Sequence, residues 1–184
     1  MHLPRRARGL TLIELLMFIV VVGIALAAML RVFTSATAAS ADPIIRRQQL
    51  AVAESLLREV QAMPLTWCDP SDANADTAAS SGGCASLPEV TGPESGQTRY
   101  GPAYFNNVND YAGFAMTGIR DLSNTVVSGL AGYSAGVVIA AGALSSLPAG
   151  GGEALQITVT VTGPDSSTLA LQGWRTRYAP TAPF

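Results

Sequence analysis

The sequence contains no lysine; all 11 of its basic residues are arginine, and its one histidine is His2. Lysine nucleophiles and Schiff-base chemistry are therefore excluded. Downstream of residue 2 so are the Ser-His-Asp and Cys-His arrangements and the His-Glu-x-x-His zinc helix. Neither Gly-x-x-x-x-Gly-Lys nor Gly-x-Gly-x-x-Gly occurs, which removes the phosphate cradles those motifs build. Charged residues are only 13% of the chain and the formal net charge is -2, so nothing supplies the clustered basic face that nucleic acid requires. Two cysteines, Cys68 and Cys84, with no histidine near them do not make a metal or redox centre. Catalysis would have to run on carboxylates such as Asp110 and Asp121, and no spacing sets that pair in a working geometry. The chain reads as non-enzymatic, with no metal and no cofactor.

What the sequence does have is one long apolar run. From Leu10 to Leu30 the only polar side chains are Thr11 and Glu14. A helix over about 21 residues is roughly 31 Å long, enough to cross the hydrocarbon of a bilayer. Arg5, Arg6 and Arg8 stand immediately before it, which places the N-terminus in the cytoplasm and the rest of the chain outside. A plain signal anchor fits this pattern. So does a cleaved signal peptide ending at Ala39-Ser40-Ala41, although the run exceeds the usual apolar core of about 7–15 residues and Arg31 intervenes before the site. Neither accounts for Glu14. An acid deep in a bilayer costs about 2.5–3.5 kcal/mol on insertion scales, so a partner is expected for it.

The stretch Gly9-Leu10-Thr11-Leu12-Ile13-Glu14-Leu15 resembles the class III leader of type IV pilins and pseudopilins, whose usual form is Gly, then Phe or Met, then Thr-Leu-Ile-Glu. Leu10 departs from that form at its second position. The resemblance implies that a prepilin peptidase and N-methyltransferase cuts between Gly9 and Leu10 and methylates the new terminus at Leu10. Glu14 is then the fifth mature residue, and its partner is the freed α-amino group of its own chain or of a neighbouring subunit. Physical reasoning supports the same role. A carboxylate and an ammonium that both leave water offset each other only when adjacent, which penalises a subunit docked in the wrong axial register.

Downstream, Asp42-Pro43 reads as a cap followed by a first helical residue, with a kink or restart expected there. The next stretch places Leu50, Ala53, Leu57 and Val60 at helical spacing, and Pro64 ends it. From Leu65 to about Tyr100 the composition is that of a loop. Cys68 and Cys84 are extracytoplasmic by the topology above, so a disulfide between them is expected, closing a loop of about 15 residues for roughly 3 kcal/mol. Asp72-x-Asn74-x-Asp76 has the start of a calcium loop, but Thr77 and Gly83 stand where that loop needs glycine and glutamate, so it reads as a solvated acidic loop. The Asn106, Asn107, Asn109 and Asp110 cluster, set among aromatics, reads as a structured turn, with calcium binding or a contact to a neighbour as the alternatives.

The last third alternates as strands do. A strand is expected within Gly132–Leu144. Leu155, Ile157, Val159 and Val161 alternate with Gln156, Thr158, Thr160 and Thr162, and a turn at Gly163–Ser166 leads to a returning strand with Leu169 and Leu171 inward. Trp174 and Tyr178 read as caps on the core, with a subunit contact as the alternative.

The expected fold is α+β, a long N-terminal hydrophobic helix packed on a C-terminal antiparallel sheet. Its segments are a leader at 1–9, a membrane or filament-core helix at 10–31, an amphipathic continuation at 32–63 and an extracytoplasmic domain at 64–184. The stretches "SADPIIRRQQLAVAESLL" and "NNVNDYAGF" look similar to minor pilins of the mannose-sensitive haemagglutinin pilus type. That resemblance implies a minor subunit held in the inner membrane before assembly. Its partners would be the peptidase, the major and other minor pilins, and the inner-membrane platform protein. The alternative is a membrane-anchored extracytoplasmic binding or adhesion domain that never polymerises.

Overall fold

The computed structural model describes residues 11–177, and for residues 35–42 the backbone alone. The chain divides into two compact units, the first ending at Ile44 and the second beginning at Ile45. One helix, α1, spans Leu12–Ala62 and contains Pro43. The restart expected at Asp42-Pro43 is therefore absent: proline removes a single i to i−4 bond, and the helical ladder persists on both sides of it.

In the first unit, Leu12–Thr34 form a 23-residue run of mean hydropathy 2.7 with no buried residue. Such a helix is apolar all round, which is stable only in a membrane or against partner helices.

The second unit contains two sheets. β1 (Gln97–Thr98) and β2 (Ala103–Tyr104) form a short parallel pair. β3 (Ala115–Thr117), β4 (Ser134–Ala141), β5 (Ala154–Thr162) and β6 (Thr168–Thr176) form an antiparallel sheet in that order. β5 alternates as its sequence demands, with Leu155, Ile157, Val159 and Val161 all buried. Register sets Val137 opposite Val159 on one side and Leu171 opposite Val159 on the other, so the three strands present one continuous apolar face. The turn at Gly163–Ser166 is present, closed by Gly163 N–H donating to the Ser167 carbonyl at 2.8 Å.

The end of α1 packs on that face through Gln49, Val52, Ala53, Leu56 and Val60. The sequence reading of this stripe was partly wrong. Leu50 is exposed, Leu57 is half-buried, and Gln49 is inside because its amide donates to the Ser167 carbonyl at 2.8 Å and hydroxyl at 3.1 Å. A hydropathy pattern scores glutamine as polar and does not see the acceptors waiting for it.

Two glycines let helix and sheet meet. A β-carbon at Gly163 would lie 2.9 Å from Ile45 Cγ2, and one at Gly173 would lie 2.6 Å from Gln61 Nε2 and 3.0 Å from Leu57 Cδ1. Gly173 pairs with Ile157 on the inner face, which puts Trp174, opposite Gln156, on the outer one. Trp174 therefore does not cap the core; it is half-buried against Gly142, where a β-carbon would stand 2.7 Å from the indole. Tyr178 lies outside the described residues.

The helix is also tied to the loop before the sheet. The Arg99 guanidinium grips Glu59 through two bonds of 2.6 and 2.7 Å and donates a third to the Arg120 carbonyl at 2.9 Å. The Tyr111 hydroxyl donates to the same Glu59 at 2.8 Å. Burial, with the hydrogen bond to Glu59 next, holds the Tyr111 phenol well above its ordinary range.

Gly173→Val forces the helix away from β6 and is expected to lower unfolding stability by about 1–3 kcal/mol in urea titrations of the detergent-solubilised chain. Ala170→Val on the exposed outer face of the same strand is expected to change little.

Candidate functional site

The first unit presents its chemistry at the start of α1. Thr11 precedes the first turn, and the Glu14 N–H donates to the Thr11 carbonyl at 3.1 Å and to its Oγ1 at 3.4 Å. Threonine is a favoured capping residue because its oxygen meets an N–H that the helix itself cannot satisfy. Glu14 sits in that first turn, where a negative charge suits the positive end of the helix dipole. Among the described residues no basic group pairs with it. Gly9 and Leu10, the expected cleavage and methylation positions, lie outside the described residues. Around Glu14 every large side chain from Leu12 to Val20 is exposed, Leu12 by 79% and Ile13 by 69%.

An acid in the first turn of a fully exposed apolar helix is what remains to be explained, and one comparison speaks to it. Residues 4–30 match the prokaryotic N-terminal methylation motif. The chain thus carries a prepilin-type leader of the type IV pilin-like kind, which implies processing by a prepilin peptidase and points to a structural subunit. The match covers the leader and the apolar helix and leaves the second unit unassigned. No curated protein and no solved structure matches the chain.

In the second unit the loop after α1 is organised from two points. Cys68 and Cys84 are joined in a disulfide with Cα atoms 5.5 Å apart. Asp72 accepts backbone N–H bonds from Asn74, Ala85, Ser86 and Leu87 at 2.7–3.0 Å. These donors, Ala85 foremost, hold its carboxyl well below the usual carboxylate range. Asp72 is thus consumed in folding the loop, and the sequence expectation of a solvated acidic loop is corrected: Asp72 is buried because four backbone donors replace the water it leaves.

The same loop gathers acids that no sequence spacing announced. Carboxylate oxygens of Asp69, Glu89 and Glu94 lie within 4.8 Å of one another. Asp110 joins them from a 3-10 helix at Val108–Tyr111, where Asn107 and Asp110 cap each other reciprocally. Its Oδ2 accepts the N–H groups of Asn106 at 2.7 Å and Asn107 at 2.9 Å. Of these residues the sequence reading singled out only the Asn106–Asp110 turn. Glu89 and Glu94 each follow a proline or precede a serine in an otherwise featureless loop, so the only signal was their charge within a low-charge chain. Asp121, the other acid considered as a catalytic partner for Asp110, is exposed and accepts the N–H groups of Ser123 and Thr125 in a turn of its own.

Burial pushes the Glu89 carboxyl up to about 9, with the charges of Glu94, Asp110 and Asp69 adding to it and Arg177 opposing it. Glu94 is raised too, by burial first, and so is Asp110 despite its two backbone donors. Asp69 differs: burial acts upward, but hydrogen bonds from Ser71, Asn106 and Gln97 outweigh it and hold the carboxyl low.

A raised acid keeps in the folded state a proton that the unfolded chain has released. Glu89 therefore contributes most below its unfolded value of 4.5 and its contribution is lost as pH rises towards about 9. With a chelator present, the thermal midpoint is expected to fall from about pH 5 to about pH 8, and Glu89→Gln to flatten that slope. A slope unchanged by the substitution would assign the pH dependence to other groups.

Proposed function

We propose that the chain is a minor pilin or pseudopilin, a non-enzymatic subunit of a type IV pilus or a type II secretion-like filament. The observation that carries this reading is the methylation-motif match over residues 4–30, which falls on the segment where a bare apolar helix begins with a single acid. Before assembly the Leu12–Thr34 run holds the chain in the inner membrane, with its N-terminus cytoplasmic and its second unit outside. Prepilin peptidase cuts between Gly9 and Leu10 and methylates Leu10. The α-ammonium so created, on this chain or on a neighbouring pilin, meets the Glu14 carboxylate.

Assembly then exchanges lipid for the apolar helices of other subunits, at little net hydrophobic cost. Registry needs a polar term, because apolar helices slide past one another with similar energies. Placing Glu14 beside an ammonium supplies it: in any other register the acid stays in hydrocarbon without its cation. A bias of about 1.4 kcal/mol per register is already tenfold in occupancy. The platform protein and its cytoplasmic ATPase lift the subunit out of the bilayer. The similarity to mannose-sensitive haemagglutinin-type minor pilins favours a minority position in a surface filament.

The reading is tested by mass spectrometry of the mature N-terminus together with a Glu14→Ala variant. Expected are a chain starting at N-methylated Leu10, and a variant that is still trimmed but enters filaments roughly tenfold less. An uncut chain would identify a simple membrane anchor for a binding domain, a chain starting at Asp42 a secreted one, and unimpaired incorporation of the variant would remove Glu14 from the mechanism.

A further inference from the structure

We propose that Asp69, Glu89, Glu94 and Asp110, with the Asn106 side-chain carbonyl, form a calcium site that clamps the loop between α1 and the sheet. The decisive observation is the set of acceptors with no donor. Asp110 is 0% exposed, yet its Oδ1 has no hydrogen-bond partner. Asp110 and Glu94 lie within hydrogen-bonding reach of each other, so one shared proton is the most that this pair can supply to its own oxygens. Both carboxylate oxygens of Glu89, both of Glu94 and Asn106 Oδ1 are buried and unpartnered in the same way. Counted together these are two, two, one and one, six acceptor oxygens. A buried carboxylate without donors is strongly unfavourable, and natural structures seldom keep one.

A shared proton bridges only one pair of oxygens, whereas calcium takes six to eight at about 2.3–2.6 Å. The carboxylate oxygens of Asp69, Glu89 and Glu94 lie within 4.8 Å of one another, close enough for one cation to touch all three. Magnesium is disfavoured because it keeps several waters and is held by one or two carboxylates, whereas this cluster offers protein oxygens from five side chains. The donors are oxygens throughout, with no histidine and no free thiol, which selects a hard cation over zinc or copper.

The carboxylates also cannot simply swing apart. Asp69 N–H donates to the Leu87 carbonyl at 2.9 Å, Glu89 N–H to the Trp67 carbonyl at 3.0 Å, and Gly92 N–H to the Asn109 carbonyl at 3.0 Å, so the three segments bearing the acids are stitched together. The disulfide at Cys68 adjoins the first of them. Asp69 is oriented by Ser71, whose N–H donates to Oδ1 at 2.6 Å, leaving Oδ2 to two long bonds of 3.4 Å from Gln97 and Asn106. Arg177, which stacks on the Trp67 ring at 3.9 Å, opposes only part of the negative charge.

The full chain in detergent micelles, stripped with EDTA, is titrated with calcium chloride and in parallel with magnesium chloride. Binding heat and the thermal midpoint are followed in the parent, Glu94→Gln and Asp110→Asn. Expected are one saturable calcium event, a rise in midpoint, a much smaller response to magnesium and roughly tenfold or greater weakening in both variants. The calcium-free Glu94→Gln protein is expected to melt above the calcium-free parent, because an amide facing Asp110 replaces repulsion with a hydrogen bond; a merely structural acid would give the opposite. The proposal is overturned by absence of calcium heat and midpoint shift up to about 10 mM, by an equal response to magnesium, or by undiminished affinity in the two variants.

Discussion

A carboxylate taken out of water must meet a cation or enough hydrogen-bond donors, and this chain solves that problem differently wherever it arises. Glu59 on α1 is met by the Arg99 fork and the Tyr111 hydroxyl, which fastens the helix to the loop that precedes the sheet. Asp72 is met by four backbone N–H groups and so shapes the disulfide-closed loop. Glu14 stands in an apolar helix whose counter-charge, in the proposed function, is made by proteolysis. In the Asp69, Glu89, Glu94 and Asp110 cluster the acceptors outnumber the donors. These acids form a graded series, from groups satisfied inside the fold to groups that look outside it.

The helix carries two physical regimes in one element. Its first part is apolar on every side and belongs in lipid or among other helices, while its last part buries only the Gln49, Val52, Ala53, Leu56 and Val60 stripe against the sheet. In the proposed function, that division lets the first part pass from a membrane to a filament while the second unit stays folded.

Much of the fold was legible because it rests on periodicity. The alternation through β5 and the turn at Gly163–Ser166 matched their sequence patterns, as did the cysteine pair. The errors share a cause. Helical spacing puts Leu50 in the apolar stripe and passes over Gln49, because hydropathy weighs side chains one at a time, and it gives no face for Trp174, which reads as a cap on the core. In each case a specific partner decided: the Ser167 oxygens for Gln49, and the register opposite Gln156 for Trp174. Pro43 did not restart the helix, because losing one bond does not stop a ladder that is supported on both sides.

By itself the sequence determined the local properties: an apolar run long enough to span a bilayer, an acid at its start, a prepilin-type leader, strands with one wet face and two cysteines on one loop. These follow from composition and spacing along a few consecutive residues, which is all that helix and strand periods require. Only the tertiary structure decided that Asp69, Glu89, Glu94 and Asp110 converge, and that Gly163 and Gly173 are the places where helix and sheet touch. Such meetings depend on the path of the loop between α1 and β3. That path is set by a disulfide, by the donors around Asp72 and by the Glu59–Arg99 pair, contacts between residues far apart in the chain whose energies no local pattern records.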